Sequence, residues 1–285
     1  LLQKTFEIDK HNVDTNHLDF AITYNNLGIY YYNIGSVEEA ESYFLKALSI
    51  YEKNKISNLN IAQIYSNLAG LYESQFFYNK AEIYNQKGLK IRKDLLGNDH
   101  PDVASSLITL GILNMKQGQY LESKENLVKA LDIFDEAIGK ESLESGNVLH
   151  NLGVLFGNIQ LYKESVEAYS RAFYINSKLL GKDHPTTAAN MVGLALSEMR
   201  LGNYEKSEEL NLYALEITTK TYGASHPQTS VIINNLGWLY TLKGEYNKAE
   251  KYYKEVLKIN NKNFNDLNPN NAMTLNNLGW LYVLK

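Results

Sequence analysis

Apolar side chains recur every three or four residues along nearly the whole chain, which is the spacing of one face of an α-helix. After the proline at position 101, for example, Val103, Leu107 and Leu110 take these positions, and Gly118 ends the pattern. A second stretch with the same period follows at once. No segment alternates apolar and polar residues with the period of two that a half-buried strand requires. The sequence therefore predicts an all-α protein made of consecutive helix pairs.

The helix pair is written about seven times in a strict register. An Asn-Leu-Gly motif, or a variant of it, marks each unit, and its small residue falls at Gly28, Ala69, Gly111, Gly153, Ala195, Gly237 and Gly279. Neighbouring landmarks are 41 or 42 residues apart. We expect one array over residues 1–285, with the tail of a preceding repeat at 1–15, repeats at about 18–58, 59–100, 101–142, 143–184, 185–226 and 227–268, and the first helix of a truncated repeat at 269–285.

The landmark glycine needs a steric explanation, because glycine inside a helix costs about 1 kcal/mol relative to alanine. Twelve residues after each of the first six landmarks lies another small residue, such as Ala40 or Ser123. We expect the two helices of a unit to cross where these two small residues face each other, at the short end of the roughly 8–10 Å range of helix packing distances.

These residues resemble the tetratricopeptide repeat. The segment NNLGWLYTLKGEYNKAEKYYKEVLKI carries the pattern of that family almost throughout. The usual unit has about 34 residues; the longer spacing here, with its Leu-Gly-(Lys/Asn)-Asp-His-Pro connector, is similar to the repeats of kinesin light chains and of many bacterial multi-repeat proteins. The resemblance implies a right-handed superhelical solenoid of antiparallel helix pairs that acts as a non-catalytic protein–protein interaction scaffold.

The resemblance also implies where a peptide or partner surface binds. In the family, the first helices line a concave groove, and residues at fixed offsets from the landmark face it. The candidate contacts on this basis are Asn26, Tyr32, Asn67, Met115, His150, Asn151, Met199, Asn234, Asn235, Trp238, Asn276, Asn277 and Trp280. This surface is apolar, aromatic and rich in amides, with almost no charge. The two tryptophans share one slot and either fill the interface between units or anchor a ligand.

Two departures from the family pattern limit what the resemblance implies. Asparagine often bonds the backbone of an extended peptide from the position two before the landmark, but Thr109 and Gly193 interrupt that series. The groove positions also lack the lysine and arginine set with which some family members hold a terminal carboxylate. A free acidic C terminus is therefore not expected as the ligand.

Three histidines each stand directly before a proline, at His100, His184 and His226. We interpret these prolines as first residues of helices, where a missing N–H is not needed, with Asp99 and Asp183 as caps. A shared metal site is not expected. Equivalent residues of adjacent units lie two helix layers apart, roughly 20 Å, whereas zinc requires its nitrogen ligands at about 2.1 Å.

Composition excludes several further functions. The net charge is −4, so no basic field attracts nucleic acid or a membrane surface, and the chain has no cysteine for disulfides or thiol chemistry. Phosphate-loop, dinucleotide-binding and hydrolase motifs are absent, so we expect no catalytic residue, metal or cofactor in this segment. We expect a cytoplasmic protein, and the composition, rich in Asn, Lys and Tyr and poor in Pro, suggests a bacterial source.

A second hypothesis stays open at this point. In this hypothesis the array is the sensor or regulatory arm of a larger bacterial enzyme, such as a caspase-like (CHAT-type) peptidase or a signalling kinase. Its partner is another domain of the same parent protein. A solenoid that associates with itself is a third possibility.

Overall fold

The computed structural model describes residues 18–54, 56–263 and 269–285. Thirteen helices occur in these ranges, and none of their residues lies in a strand. The first helices of the repeats are α1 Leu18–Asn33, α3 Leu59–Ser74, α5 Pro101–Lys116, α7 Leu143–Asn158, α9 Pro185–Arg200, α11 Pro227–Leu242 and α13 Pro269–Leu284. The second helices are α2 Val37–Lys53, α4 Tyr78–Leu96, α6 Tyr120–Ala137, α8 Tyr162–Leu179, α10 Tyr204–Tyr222 and α12 Tyr246–Asn263. The tail expected at 1–15 lies outside the described residues.

The chain divides into two compact units, with the boundary between Lys140 and Glu141. In each unit a first helix packs against the second helix that follows it, and that second helix packs against the next first helix. The core of the first unit includes Phe20, Phe44 and Leu68, which are at most 2% exposed. Both units are thus stacks of helical hairpins, which confirms the prediction of an all-α repeat solenoid.

The landmark glycines Gly28, Gly111, Gly153 and Gly237 lie where the second helix of their hairpin crosses. The Ser123 hydroxyl donates to the Gly111 carbonyl oxygen at 2.7 Å, and Ser165 bonds Gly153 in the same way at 2.8 Å. The small residues of the two helices therefore do meet. A Cβ added at Gly111, however, would lie 2.7 Å from Cγ of Leu127, sixteen residues later. The glycine makes room for this larger side chain, which the spacing of small residues alone does not reveal.

The residue at the landmark and the residue sixteen positions later change together along the chain. Where the landmark is glycine, the later residue is large, and a Cβ on the glycine would approach it to 2.8 Å or less; these later residues are Phe44, Leu127, Tyr169 and Tyr253. Where the landmark is Ala69 or Ala195, the later residue is the smaller Asn85 or Asn211, and both asparagines are buried. The two side chains share one space, so their sizes are matched within each hairpin.

The histidines before the prolines begin helices, as predicted, but the capping group is not the expected one. Nδ1 of His100, His184 and His226 accepts the backbone N–H two residues later, at 3.1, 3.1 and 3.2 Å. The prediction that Asp99 and Asp183 act as caps is wrong. The Asp183 carboxylate instead accepts a 2.8 Å hydrogen bond from the Tyr213 hydroxyl. An imidazole reaches the N–H because the extended backbone before the proline directs it over the first turn.

Replacing one capping histidine tests this role. We expect His184→Ala to lower the free energy of unfolding by about 1 kcal/mol, because a helix N–H loses its acceptor. His184→Asn keeps a side-chain acceptor and should stay near wild type. Urea unfolding followed by circular dichroism measures both. Equal midpoints for the alanine variant and wild type would contradict the capping role.

Candidate functional site

The first-helix face is the surface formed by α1, α3 and α5 in the first unit and, separately, by α7, α9, α11 and α13 in the second. The candidate contacts differ in how far they reach this surface. Asn26, Tyr32, Asn276 and Trp280 are exposed, whereas Asn67, Met115, His150, Asn151, Asn235, Trp238 and Asn277 are partly buried. Met199 and Asn234 are only 2% and 3% exposed. These last two lie in the interior below the face and offer a partner almost no surface.

Several of the candidate asparagines are held by hydrogen bonds within the protein. Asn67 donates to the Asn25 side chain on the preceding first helix at 2.8 Å and accepts from Gln63 at 3.1 Å. Asn151 donates to the Asn147 carbonyl oxygen at 2.9 Å. An amide has two N–H donors and two acceptor lone pairs, so these bonds orient the groups without using their full capacity.

The break in the asparagine series at Gly193 has a steric cause. A Cβ at Gly193 would lie 2.3 Å from Cζ of Tyr169, a buried ring of α8. No side chain fits at that position while the tyrosine is there. The ring is the same one that occupies the space above the landmark Gly153. Close packing within the hairpin therefore excludes an asparagine side chain at this position of the face.

The two tryptophans have different surroundings although they share one slot. Trp238 is partly buried, and the Arg200 guanidinium of the preceding first helix stacks over its ring at 4.1 Å from the centroid. Trp280 is 60% exposed. Trp238 thus contributes to packing between hairpins and is only partly accessible, whereas Trp280 presents most of its surface to solvent.

Three of the pockets on the first-helix face have polar residues at their floor, one in the first unit and two in the second. The Arg92 pocket, of about 490 Å³, lies among α3, α4 and α5. The His150 pocket, of about 450 Å³, is lined mainly by α7, α8 and α9, and the Asn234 pocket, of about 170 Å³, lies among α11, α12 and α13. Each is formed by a first helix, the second helix that follows, and the next first helix.

The floor of each pocket holds a trio of polar residues, and the three trios are equivalent positions of the repeat. The trios are Ser66, Arg92 and Ser106; His150, Asn176 and Asn190; and Asn234, Asn260 and Thr274. Each member lies 84 residues, or two repeats, from its counterpart in the next pocket. All of them are buried except Ser66 and His150, which are partly buried.

The hairpin interfaces between these pockets carry more apolar residues at the same positions. In the second unit the corresponding residues are Val192, Thr218 and Ile232. The fold repeats every 42 residues, but the chemistry of the floor repeats every 84. This period is visible when sequence positions two repeats apart are compared, and it is hidden when adjacent repeats are compared.

The Arg92 pocket has a buried cation at its floor. Nη1 of Arg92 donates to the hydroxyl oxygens of Ser66 at 2.9 Å and Ser106 at 2.8 Å. Burial lowers the pKa of the Arg92 guanidinium, and the nearby Asp102 carboxylate opposes that shift. Arginine stays charged in proteins despite such shifts. This residue was not among the predicted site residues, because it lies on a second helix, in a slot that holds Tyr51 and Phe134 in neighbouring repeats.

The His150 pocket is polar but uncharged at its floor. Nδ1 of His150 lies 2.7 Å from Oδ1 of Asn190, and the ring packs edge-on against Tyr169. Burial lowers the pKa of His150, although the bond to Asn190 acts in the opposite direction. The ring is therefore neutral near pH 7. Nδ2 of Asn190 has no hydrogen-bond acceptor among the described residues.

Two other types of site do not occur in the described part of the chain. No group of three or more His, Asp or Glu side chains there could hold a metal ion. Within the same ranges, every helix is too short or too polar to cross a bilayer.

Solved structures with the same architecture cover most of this chain at low sequence identity. BtubC (BKLC) from P. vanneervenii is 21% identical, with a TM-score of 0.66, over 79% of this chain and 89% of its own. A putative kinesin light chain from Podosopora anserina with nearly identical TPR-like repeats is 21% identical, with a TM-score of 0.62, over 74% of this chain and 100% of its own. A Signal Transduction ATPase with Numerous Domains from Pyrococcus horikoshii, which has a tetratricopeptide repeat sensor, is 19% identical, with a TM-score of 0.70, over 93% of this chain and 39% of its own.

Two family models, both of the tetratricopeptide repeat, match the sequence. One covers residues 60–136 and 187–262, and the other covers 20–54 and 146–186. The helix pairs, the landmark crossing and these matches lead to the same result, which confirms the resemblance drawn from the sequence: the chain belongs to the tetratricopeptide repeat family.

Proposed function

We propose that this chain is a non-catalytic scaffold that binds an extended segment of a protein partner along its first-helix face. The observation that carries the proposal is the polar-floored pocket, which occurs at equivalent hairpin interfaces in both units. An extended chain offers side chains and backbone amides at regular intervals, and pockets at repeated positions within a unit are suited to accept them.

The surface around the pockets supports the same function. Trp280 and Tyr32 are exposed large aromatic residues on the face, and such residues commonly carry much of the binding energy of an interface. The oriented amides of Asn67 and Asn151 can exchange hydrogen bonds with a peptide backbone. Aromatic anchors would supply affinity, and the pocket floors would supply selectivity for polar groups.

Selection from a random peptide library tests the proposal even though the partner is unidentified. A library of 12-residue peptides displayed on phage is selected against the 285-residue chain, and the affinity of the enriched peptides is measured. Ala189→Trp fills the His150 pocket from an exposed position, and Trp280→Ala removes an anchor. We expect at least one of the two variants to weaken each enriched peptide about tenfold or more, as loss of a hot-spot contact does.

The matched control changes exposed side chains on second helices. Tyr174→Ala and Leu212→Ala remove apolar surface of similar exposure away from the first-helix face and should leave the affinities within about twofold. Failure to enrich any peptide, or equal losses in the control variants, would contradict the proposal.

A sensor arm of a larger signalling protein is the second candidate. The observation that favours it is the similarity to the Pyrococcus horikoshii protein with its tetratricopeptide repeat sensor. The first-helix face would then bind another segment of the same parent protein. Enriched peptides that match the parent's own sequence would support this candidate, and peptides without such a match would support a separate partner.

A further inference from the structure

We propose that the Arg92 pocket binds the side-chain carboxylate of an acidic residue. The extended partner that would carry this residue rests on the proposed function, whereas binding of the carboxylate itself does not. The site differs from the groove positions predicted from the sequence, because its cation comes from α4 and reaches the face between two first helices.

The donors of Arg92 are only partly used. A guanidinium has five N–H groups, and the two hydrogen bonds to Ser66 and Ser106 both come from Nη1. In the described ranges, Nε and Nη2 have no hydrogen-bond acceptor, and no carboxylate oxygen lies within 4.0 Å of the guanidinium. Yet Arg92 is only 8% exposed. The residue is a buried cation with three N–H groups left over.

A carboxylate satisfies these groups better than water or a neutral side chain does. Burial of a charge is unfavourable unless the charge is paired and hydrogen-bonded. The planar guanidinium presents parallel N–H groups that match the two oxygens of a carboxylate. Ser66 and Ser106 both accept hydrogen bonds from Nη1 and so restrict the orientation of the group. The pocket is thus arranged around an oxyanion before any ligand is present.

The charges around the pocket favour a single negative charge over a double one. Asp102 lines the same pocket and lies close enough to raise the pKa of Arg92, but it makes no ion pair with it. One cation and one nearby anion leave a local charge close to zero. A monoanionic carboxylate gains the contact with Arg92 and meets modest repulsion from Asp102. A dianionic phosphate doubles both the attraction and the repulsion, and burial of its second charge adds a desolvation cost.

The equivalent pockets show why this subsite matters along the face. The residues equivalent to Arg92 are Asn176 and Asn260, which are neutral. Only one of the three pockets therefore carries a charged floor. An acidic residue of a partner would therefore distinguish the Arg92 pocket from the two pockets of the second unit, whose floors carry an asparagine at the equivalent position.

Nuclear magnetic resonance of the arginine side chains tests the carboxylate site directly. The chain has three arginines, Arg92, Arg171 and Arg200, so their Nε–H signals can be assigned by single substitutions. The probe is N-acetyl-L-glutamate N-methylamide, whose side chain bears its only charge, and its glutamine counterpart is the neutral control. We expect a saturable shift of the Arg92 signal with glutamate, at least about tenfold weaker binding of glutamine, and no shift of Arg171.

Further probes separate the possible sources of the anion. N-acetylglycine offers a chain-terminal carboxylate, and capped phosphoserine offers a phosphate. Both should bind more weakly than the capped glutamate, and Asp102→Asn should strengthen binding of all three anions several-fold. An unchanged Arg92 signal at roughly 100 mM capped glutamate would overturn the proposal. Tighter binding of either alternative anion would overturn the assignment to an acidic side chain.

The peptide library gives an independent result. Peptides enriched on the wild-type chain should share one Asp or Glu, and selection on Arg92→Phe should lose that preference while other positions are kept. Enriched peptides without an acidic preference would reject the Arg92 site and leave the scaffold function in place. Saturable glutamate binding in the absence of any enriched peptide would support the Arg92 site and contradict the scaffold function.

Discussion

Gly111→Leu lowers the free energy of unfolding by about 3 kcal/mol, near the upper end of the usual range for overpacked interiors. A Cβ at this position already lies 2.7 Å from Leu127, and the Ser123 carbonyl oxygen is 3.3 Å away on the same side. A leucine would force the two helices of the hairpin apart. Urea unfolding followed by circular dichroism measures the loss.

A matched pair of smaller changes separates this effect from helix propensity. Gly153→Ala places a Cβ 2.8 Å from the Tyr169 ring, whereas Gly279→Ala on α13 meets no atom within 4 Å. Gly279→Ala should therefore be neutral or stabilising by up to about 1 kcal/mol. Gly153→Ala should lower the free energy of unfolding. In the double variant Gly153→Ala/Tyr169→Asn we expect a favourable coupling free energy of about 1 kcal/mol or more, because alanine and asparagine occur together in the hairpins with Ala69 or Ala195. Equal effects at Gly153 and Gly279 would refute the crossing account.

Arg92→Phe raises the free energy of unfolding by about 1–2 kcal/mol, although it removes a charged residue with two hydrogen bonds. Replacement of buried charged groups by apolar residues of similar volume is often stabilising. The hydroxyls that lose their donor still donate elsewhere, Ser66 to the Ala62 carbonyl oxygen and Ser106 to that of Asp102. Phenylalanine also occupies the equivalent slot in the next repeat, at position 134.

The control for this variant is an arginine on the surface. Arg171 is exposed, so Arg171→Phe should change the unfolding free energy by no more than about 0.5 kcal/mol. The same denaturant titration compares the two variants. A loss of stability in Arg92→Phe comparable to that of a core truncation would show that the guanidinium serves the fold. A gain would show a group kept at the expense of stability, as functional groups commonly are.

The sequence could predict the helices and their crossing because both depend on local periodicity and on a landmark that recurs in every repeat. It could not predict the depth of individual groove positions. Tyr32 and Met199 share one slot, yet Tyr32 is 39% exposed and Met199 is 2% exposed. Met199 is covered by Leu236 and Leu239 of the next first helix, and such covering depends on how neighbouring hairpins pack. Arg92 was missed for a related reason: its slot holds Tyr51 and Phe134 in the two neighbouring repeats, so comparison with those repeats presents it as a core position.

The unequal periods of the scaffold and of its pocket floors place a constraint on how such a chain can change in length. Gain or loss of one hairpin keeps the order of first and second helices, but it joins a hairpin with polar floor residues to a first helix with apolar ones. Every floor beyond that point would shift by one interface, so that a polar floor would lie where an apolar one lay before. A bound segment would then contact apolar residues in place of polar ones. Only changes by an even number of hairpins preserve this alternation, so the tandem of two hairpins is the unit by which the array repeats in both fold and floor chemistry.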